Sequence, residues 1–133
     1  MALFQVQFKV RDYECDLQGI VNNANYQHYL EHARHEYLQS LAIDFAGLHK
    51  EGIDLIVSRI EIDYKHPLQS RDEFTVSVLM KKEGNVRVLF NQEIRTIAGN
   101  KLAASARVFG VCLVKGRPVA PERIFGTLFH SEG

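Results

Sequence analysis

From Ala24 to about Leu41 the chain runs without a Gly or Pro, and its apolar residues Tyr26, Tyr29, Leu30, Ala33, Tyr37 and Leu41 recur at steps of three and four. That spacing lines one face of an α-helix. A long helix with an apolar, tyrosine-rich stripe has to bury that stripe against another layer. The rest of the chain says which layer: most of its apolar pattern has period two, the repeat of half-buried strands.

Phe4, Val6, Phe8 and Val10 alternate with polar residues and predict a first strand. Arg11 to Asn23 follows, rich in turn and cap formers such as Asp16-Leu17-Gln18-Gly19 and Asn22-Asn23, and reads as a loop feeding the helix. A short helical stretch is expected at Ile43 to Leu48. Beyond Gly52, Ile56, Ser58, Ile60, Ile62 and Tyr64 are expected on one face of a strand that His66-Pro67 ends, since proline cannot donate to a ladder. Phe74, Val76, Val78 and Met80 predict the next strand. The turns Glu83-Gly84-Asn85 and Ala98-Gly99-Asn100 lead into two more, one with Val86, Val88 and Phe90 and one from Lys101 to Val114. Pro121 to Phe129 fits either a short helix or an edge strand. The order is strand, long helix, four strands: an α+β chain with a five-stranded antiparallel sheet around one central helix. Such a sheet leaves edges, and pairing them between copies hides them, so a homodimer or homotetramer is expected.

The 133 residues and their 46% apolar content suit one domain over 1–133, with no repeat or linker-like stretch. Sixteen Lys and Arg balance sixteen Asp and Glu, so the overall charge favours neither nucleic acid nor an anionic membrane. Cys15 and Cys112 form no metal or redox pair, and the start of the chain lacks the pattern of a signal peptide. A cytoplasmic protein is expected.

No nucleotide-binding glycine pattern, zinc motif or serine elbow occurs, so candidate residues come from local physics. Asp16 lies in a Gly-containing loop before the helix. The first helical amides, around Asn22, Asn23 and Ala24, lack intrahelical acceptors, and the helix dipole adds positive charge there. Those amides could hold an oxyanion while a nearby carboxylate attacks or activates water. Local physics alone favours the plainer reading of Asp16 as a turn or cap residue satisfying local amides.

The run Tyr13-Glu14-Cys15-Asp16-Leu17-Gln18-Gly19-Ile20-Val21-Asn22-Asn23-Ala24-Asn25-Tyr26, followed by Leu30-Glu31 and Ala33-Arg34, resembles the signature of the 4-hydroxybenzoyl-CoA thioesterase family, whose members have the hotdog fold. Asp63-Tyr64-Lys65-His66-Pro67-Leu68 with Asp72 resembles that family's strand ending and turn. The resemblance implies a hotdog domain that hydrolyses an acyl-CoA or acyl-carrier thioester without a cofactor. Asp16 would be nucleophile or general base, Gly19 the turn glycine, and the Asn23 amide the oxyanion donor. Asn23 departs from the His or Tyr of many relatives. Val21-Asn22-Asn23-Ala24 instead resembles long-chain acyl-thioester hydrolases of the same superfamily, including acyl-carrier-protein thioesterases.

His28, His32 and His35 share a helix face opposite the tyrosine stripe, which suits a solvated or interface surface better than a metal site. Cys15 must point away from Asp16 in an extended segment and reads as packing. Glu14 and Asp12 read as surface or loop-supporting carboxylates. Lys82, Arg87, Arg107 and Lys115 could meet coenzyme A phosphates, although each singly also suits a solvated strand. Ser58 and Ile60 are expected to line the acyl pocket where two subunits meet. Two other readings stand beside hydrolysis: a hotdog dehydratase or hydratase, whose paired helix acid and His loop are not evident here, and a non-catalytic acyl-thioester binding module.

Overall fold

A computed structural model describes residues 3–126. The long helix, α1, spans Asn23–Ser40 and buries Tyr26, Tyr29, Leu30, Ala33 and Arg34. Four of these belong to the expected stripe; the buried arginine does not, and its role is taken up below. The first strand, β1, covers Phe4–Lys9, and a 3₁₀ turn at Asp12–Glu14 opens the loop to α1. After α1 come α2 at Phe45–Lys50, β2 at Ile53–Tyr64, β3 at Glu73–Glu83, β4 at Arg87–Thr96 and β5 at Leu102–Val114.

The strands form one antiparallel sheet in the order β1-β3-β4-β5-β2, curved around α1 as the hotdog resemblance implies. A sixth strand, β6, adds two residues, Arg117–Pro118, against the end of β5. It escaped the sequence reading because it is so short. Its cue is the Lys115-Gly116 pair, both at positive φ, which folds the chain straight back. Pro121 to Phe129 resolves into a short helix, α3, at Glu122–Phe125, with residues 127–129 outside the described residues.

Between helix and sheet lies an aromatic wedge. Phe8 stacks on Phe74 with ring centroids 5.3 Å apart, and Tyr29 tilts onto Phe74 at 4.8 Å. Phe74, Val76, Val78, Met80, Val88 and Phe90 join the core as the alternation predicts, and Ile94 and Val108 complete it. In β2 the alternation breaks. A bulge between Val57 and Arg59 inserts Ser58 as an extra residue, so Leu55, Val57, Ile60, Ile62 and Tyr64 oppose the core-facing positions of β5, while Ile56 and Ser58 fall out of phase. The Ser58 hydroxyl donates to the Phe109 carbonyl at 3.2 Å, holding the bulge in place. The expectation that Ile56 and Ser58 share the face of Ile60 is thus corrected, because one inserted residue reverses the side on which all earlier positions point.

Among the described residues no helix is long and apolar enough to cross a membrane.

Candidate active site

The loop before α1 is a closed structure. Cys15 and Val21 pair in an isolated antiparallel bridge. Inside it the Asp16 amide donates to Ile20 O at 2.9 Å and the Gly19 amide to Asp16 O at 3.0 Å. Gly19 sits at φ +80, a conformation that strains residues with a Cβ, which explains the glycine. The loop is also strapped to the turn before β3: the Val21 amide donates to Leu68 O at 2.8 Å, and Ile20 bridges Gln69.

At the tip Asp16 is exposed, and its Oδ1 accepts from the amides of Gln18 at 2.8 Å and Ile20 at 3.3 Å. The turn-capping reading therefore holds for one oxygen. Oδ2 has no hydrogen-bond partner among the described residues, so one half of the carboxylate is anchored and the other faces outward. A nucleophile or base gains from that arrangement, since its orientation is set before substrate arrives.

The start of α1 narrows the expected oxyanion donors to one. Asn22 is the N-cap and accepts from the Ala24 amide at 2.9 Å. Its own amide donates to Glu14 O at 3.1 Å, and the Asn25 amide donates to Asn22 O at 2.9 Å. Only the Asn23 amide, first in the helix, is left without an acceptor among the described residues. It is the donor the resemblance assigned, and the helix dipole favours negative charge at that point.

Glu14 connects the two parts. Its Oε1 accepts from the Tyr29 hydroxyl and from the Arg11 amide, both at 2.8 Å, and its carbonyl accepts from Asn25 Nδ2 at 3.0 Å as well as from Asn22. The loop-supporting reading of Glu14 was right. Its partner Tyr29 could not be found from spacing, because the bond joins a loop to a helix face one turn away. Burial, reinforced by the bond to Glu14, raises the Tyr29 phenol far above its usual range and keeps it a donor. Burial, then the carboxylates of Asp12, Asp16 and Glu14, also push up the Cys15 thiol, which packs at the margin of the core. A thiol so disposed stays protonated and is a poor nucleophile.

The three helix histidines are exposed. His28 lies 3.4 Å from Asn25 Oδ1 and His32 3.4 Å from Glu36, so each has its own neighbour. Among the described residues no group of three or more His, Cys, Asp or Glu is placed to hold a metal.

The expected substrate contacts divide. Ile60 lines a cleft of about 340 Å³ together with Ala24, Gln27, His28, Glu31 and Arg34, so it does reach the helix entrance. Ser58 is occupied by the bulge. Lys82 pairs with Glu122 at 2.8 Å, and Arg87 lies over the Phe109 ring at 5.2 Å. Both stand where β3 turns into β4, whereas the Asp16 loop is strapped to residues before β3. The eleven residues of β3 between them span about 35 Å. Within one protomer, then, Lys82 and Arg87 are remote from Asp16.

A family model described as the thioesterase-like superfamily matches residues 10–123. The chain belongs to that superfamily. This thioesterase is 35% identical over 128 residues to the Arabidopsis thaliana chloroplastic acyl-acyl carrier protein thioesterase ATL3, covering 95% of this chain and 67% of that protein. It spans about half, 48%, of the related ATL2 from the same plant. Against the acyl-CoA thioesterase YbgC of Haemophilus influenzae the identity is 30% over 126 residues, covering 92% of this chain and 93% of that one. Among solved structures, the probable thioesterase YbaW of Escherichia coli superposes with a TM-score of 0.80 at 29% identity, covering 97% and 96% of the two chains. The chemistry of the thioesterase is accordingly hydrolysis of an acyl thioester.

Proposed function

We propose that Asp16 and the Asn23 amide carry that hydrolysis, on acyl groups borne by coenzyme A or by an acyl-carrier protein. The observation that supports this most is that two groups flanking the start of α1 are unsatisfied among the described residues: Asp16 Oδ2, whose twin oxygen is anchored, and the Asn23 amide, first in the helix. As the carbonyl becomes tetrahedral, its oxygen takes up negative charge and Asn23 N–H stabilises it. Asp16 either attacks the carbonyl, expelling the thiolate and leaving an acyl anhydride that water cleaves, or takes a proton from the water that attacks.

The working unit in this reading is a homodimer, or a homotetramer built from dimers. The edge strand β2 exposes Val57, Ile60 and Tyr64 on one face and Ile56 on the other, apolar surface that a second copy pairing with this edge would cover. A second copy also offers a way to bring Lys82 and Arg87 to the site as contacts for the carrier's phosphates. The two free cysteines suit the reducing cytoplasm.

Thiol release from acyl-CoA esters tests the assignment. Asn at position 16 keeps the oxygen that accepts from Gln18 and Ile20 but loses the charge, so Asp16→Asn is expected to fold normally and to lower kcat by about 100- to 10,000-fold. Turnover at the original rate would exclude Asp16. Under single turnover in heavy-oxygen water, label entering the Asp16 carboxylate would establish the anhydride route.

A further inference from the structure

Arg34 is a buried cation for which the hydrolysis just described has no use. It is 6% exposed, and its one hydrogen bond among the described residues runs from Nη1 to Gln92 Oε1 at 3.1 Å. Gln92 is neutral and 1% exposed, and its own amide nitrogen donates to Leu30 O at 3.0 Å, so its oxygen is turned toward Arg34. No carboxylate among the described residues forms an ion pair with Arg34. Glu31, one turn earlier on α1, is exposed and acts on it only through its field. Removing a guanidinium from water without a counter-charge costs several kcal/mol, and a hydrogen bond to a neutral amide offsets only part of that.

The place of Arg34 explains why a cation is kept there. It lines the same cleft as Ala24, at the mouth where the thioester carbonyl would sit, and Ile60, the apolar wall contributed by β2. The two helix positions are ten residues apart, about 15 Å along the axis, and a helical side chain leans toward the N-terminus. The guanidinium therefore stands on the order of 10 Å from the helix entrance, farther along the same cleft.

We propose that Arg34 is a specificity residue that receives a carboxylate at the far end of the acyl group, so that the preferred substrates are thioesters of medium-length dicarboxylic acids. The inference rests on the hydrolase reading of the same site. The planar fork of Arg donates two parallel hydrogen bonds to a carboxylate, whose charge would also supply the counter-ion that Arg34 lacks among the described residues. A plain alkyl chain leaves the guanidinium unpaired.

The test compares octanoyl-CoA with suberyl-CoA and hexanoyl-CoA with adipyl-CoA, by thiol release and, in parallel, by calorimetric binding to the full-length protein. Wild type is expected to favour each dicarboxylic ester by about tenfold or more in kcat/KM, chiefly through KM. Arg34→Gln is expected to erase that ratio and Arg34→Lys to restore part of it. Should Arg34→Gln not fold, free suberate and octanoate as competing products of the wild type give the same comparison. Equal or alkyl-favouring ratios in wild type, or a ratio that Arg34→Gln leaves unchanged, would overturn the proposal. So would an Arg34→Gln protein whose only defect is dissociation of its oligomer, which would assign the missing counter-charge to a second copy. Hydrolysis of all four esters without preference would refute the Arg34 role alone. Absence of any hydrolysis would refute the hydrolase reading, and the binding ratios would still decide the role of Arg34.

Discussion

The Tyr29 hydroxyl donates to Glu14 Oε1 at 2.8 Å, linking the second turn of α1 to the residue that also receives the Asn22 amide and the Asn25 side chain. Glu14 thus ties the loop bearing Asp16 to α1 twice, through its carboxylate to Tyr29 and through its backbone carbonyl to the helix end bearing the Asn23 amide. Breaking this link should disturb orientation more than binding. Tyr29→Phe is expected to cost about 1 kcal/mol of stability. It should lower kcat by roughly tenfold with KM little changed, as when an interaction that matters in the transition state is lost. Glu14→Gln, which can still accept from Tyr29, should retain more activity than Glu14→Ala. Equal kcat in all three proteins would show that the link is structural only.

The helix start offers a separate measurement. Asn22 supplies the side-chain acceptor for Ala24 N–H at 2.9 Å, and Asn22→Ala removes it. A loss of about 1 kcal/mol in chemical denaturation is expected. Asn22→Asp and Asn22→Ser, which keep an acceptor, should recover most of it.

Alkaline pH should weaken the fold through two phenols. Burial raises both Tyr29 and Tyr26 above the ordinary tyrosine value of 10.0. A group whose folded pKa is raised contributes stability that is complete below its unfolded pKa and is lost as pH rises toward the folded one. Stability should therefore hold up to about pH 10 and fall above it. Tyr29→Phe should flatten that fall in urea titrations between neutral and strongly alkaline pH, and an unchanged slope would remove Tyr29 from the account.

Mixed oligomers test whether two copies build one site. If Asp16 of one copy works with Lys82 and Arg87 of another, Asp16→Asn and a Lys82→Ala/Arg87→Ala double variant should each be impaired. Refolding them together should restore activity, because a hybrid dimer contains one intact site. Activity equal to the mean of the separate proteins would indicate that each protomer works alone.

Much of this was legible in the chain itself. The three- and four-residue spacing from Tyr26 to Leu41 forms α1, and the alternation of Phe4 to Val10 and of Phe74 to Met80 forms strands that pack on it. Asp16 and the group of amides at Asn22, Asn23 and Ala24 stood out because a turn and a helix start are local events that a dozen residues decide, while the choice of Gly19 and Asn23 came from the family resemblance. Sequence period also misled in one place: alternation through Ser58 gave no sign of the bulge, since an inserted residue is visible only against the partner strand β5.

What the sequence by itself determined, then, is the helix, the strands and the identity of the residues at the helix entrance, all of which follow from patterns within a few turns of chain. Tertiary structure decided that the Asn22 amide is taken up by Glu14 O, that Glu14 meets Tyr29, and that Arg34 lies buried beside Gln92 with no carboxylate paired to it among the described residues. The last two depend on contacts between residues 15 and 58 positions apart, and hydrogen bonding across such separations is set by how the sheet curves around the helix.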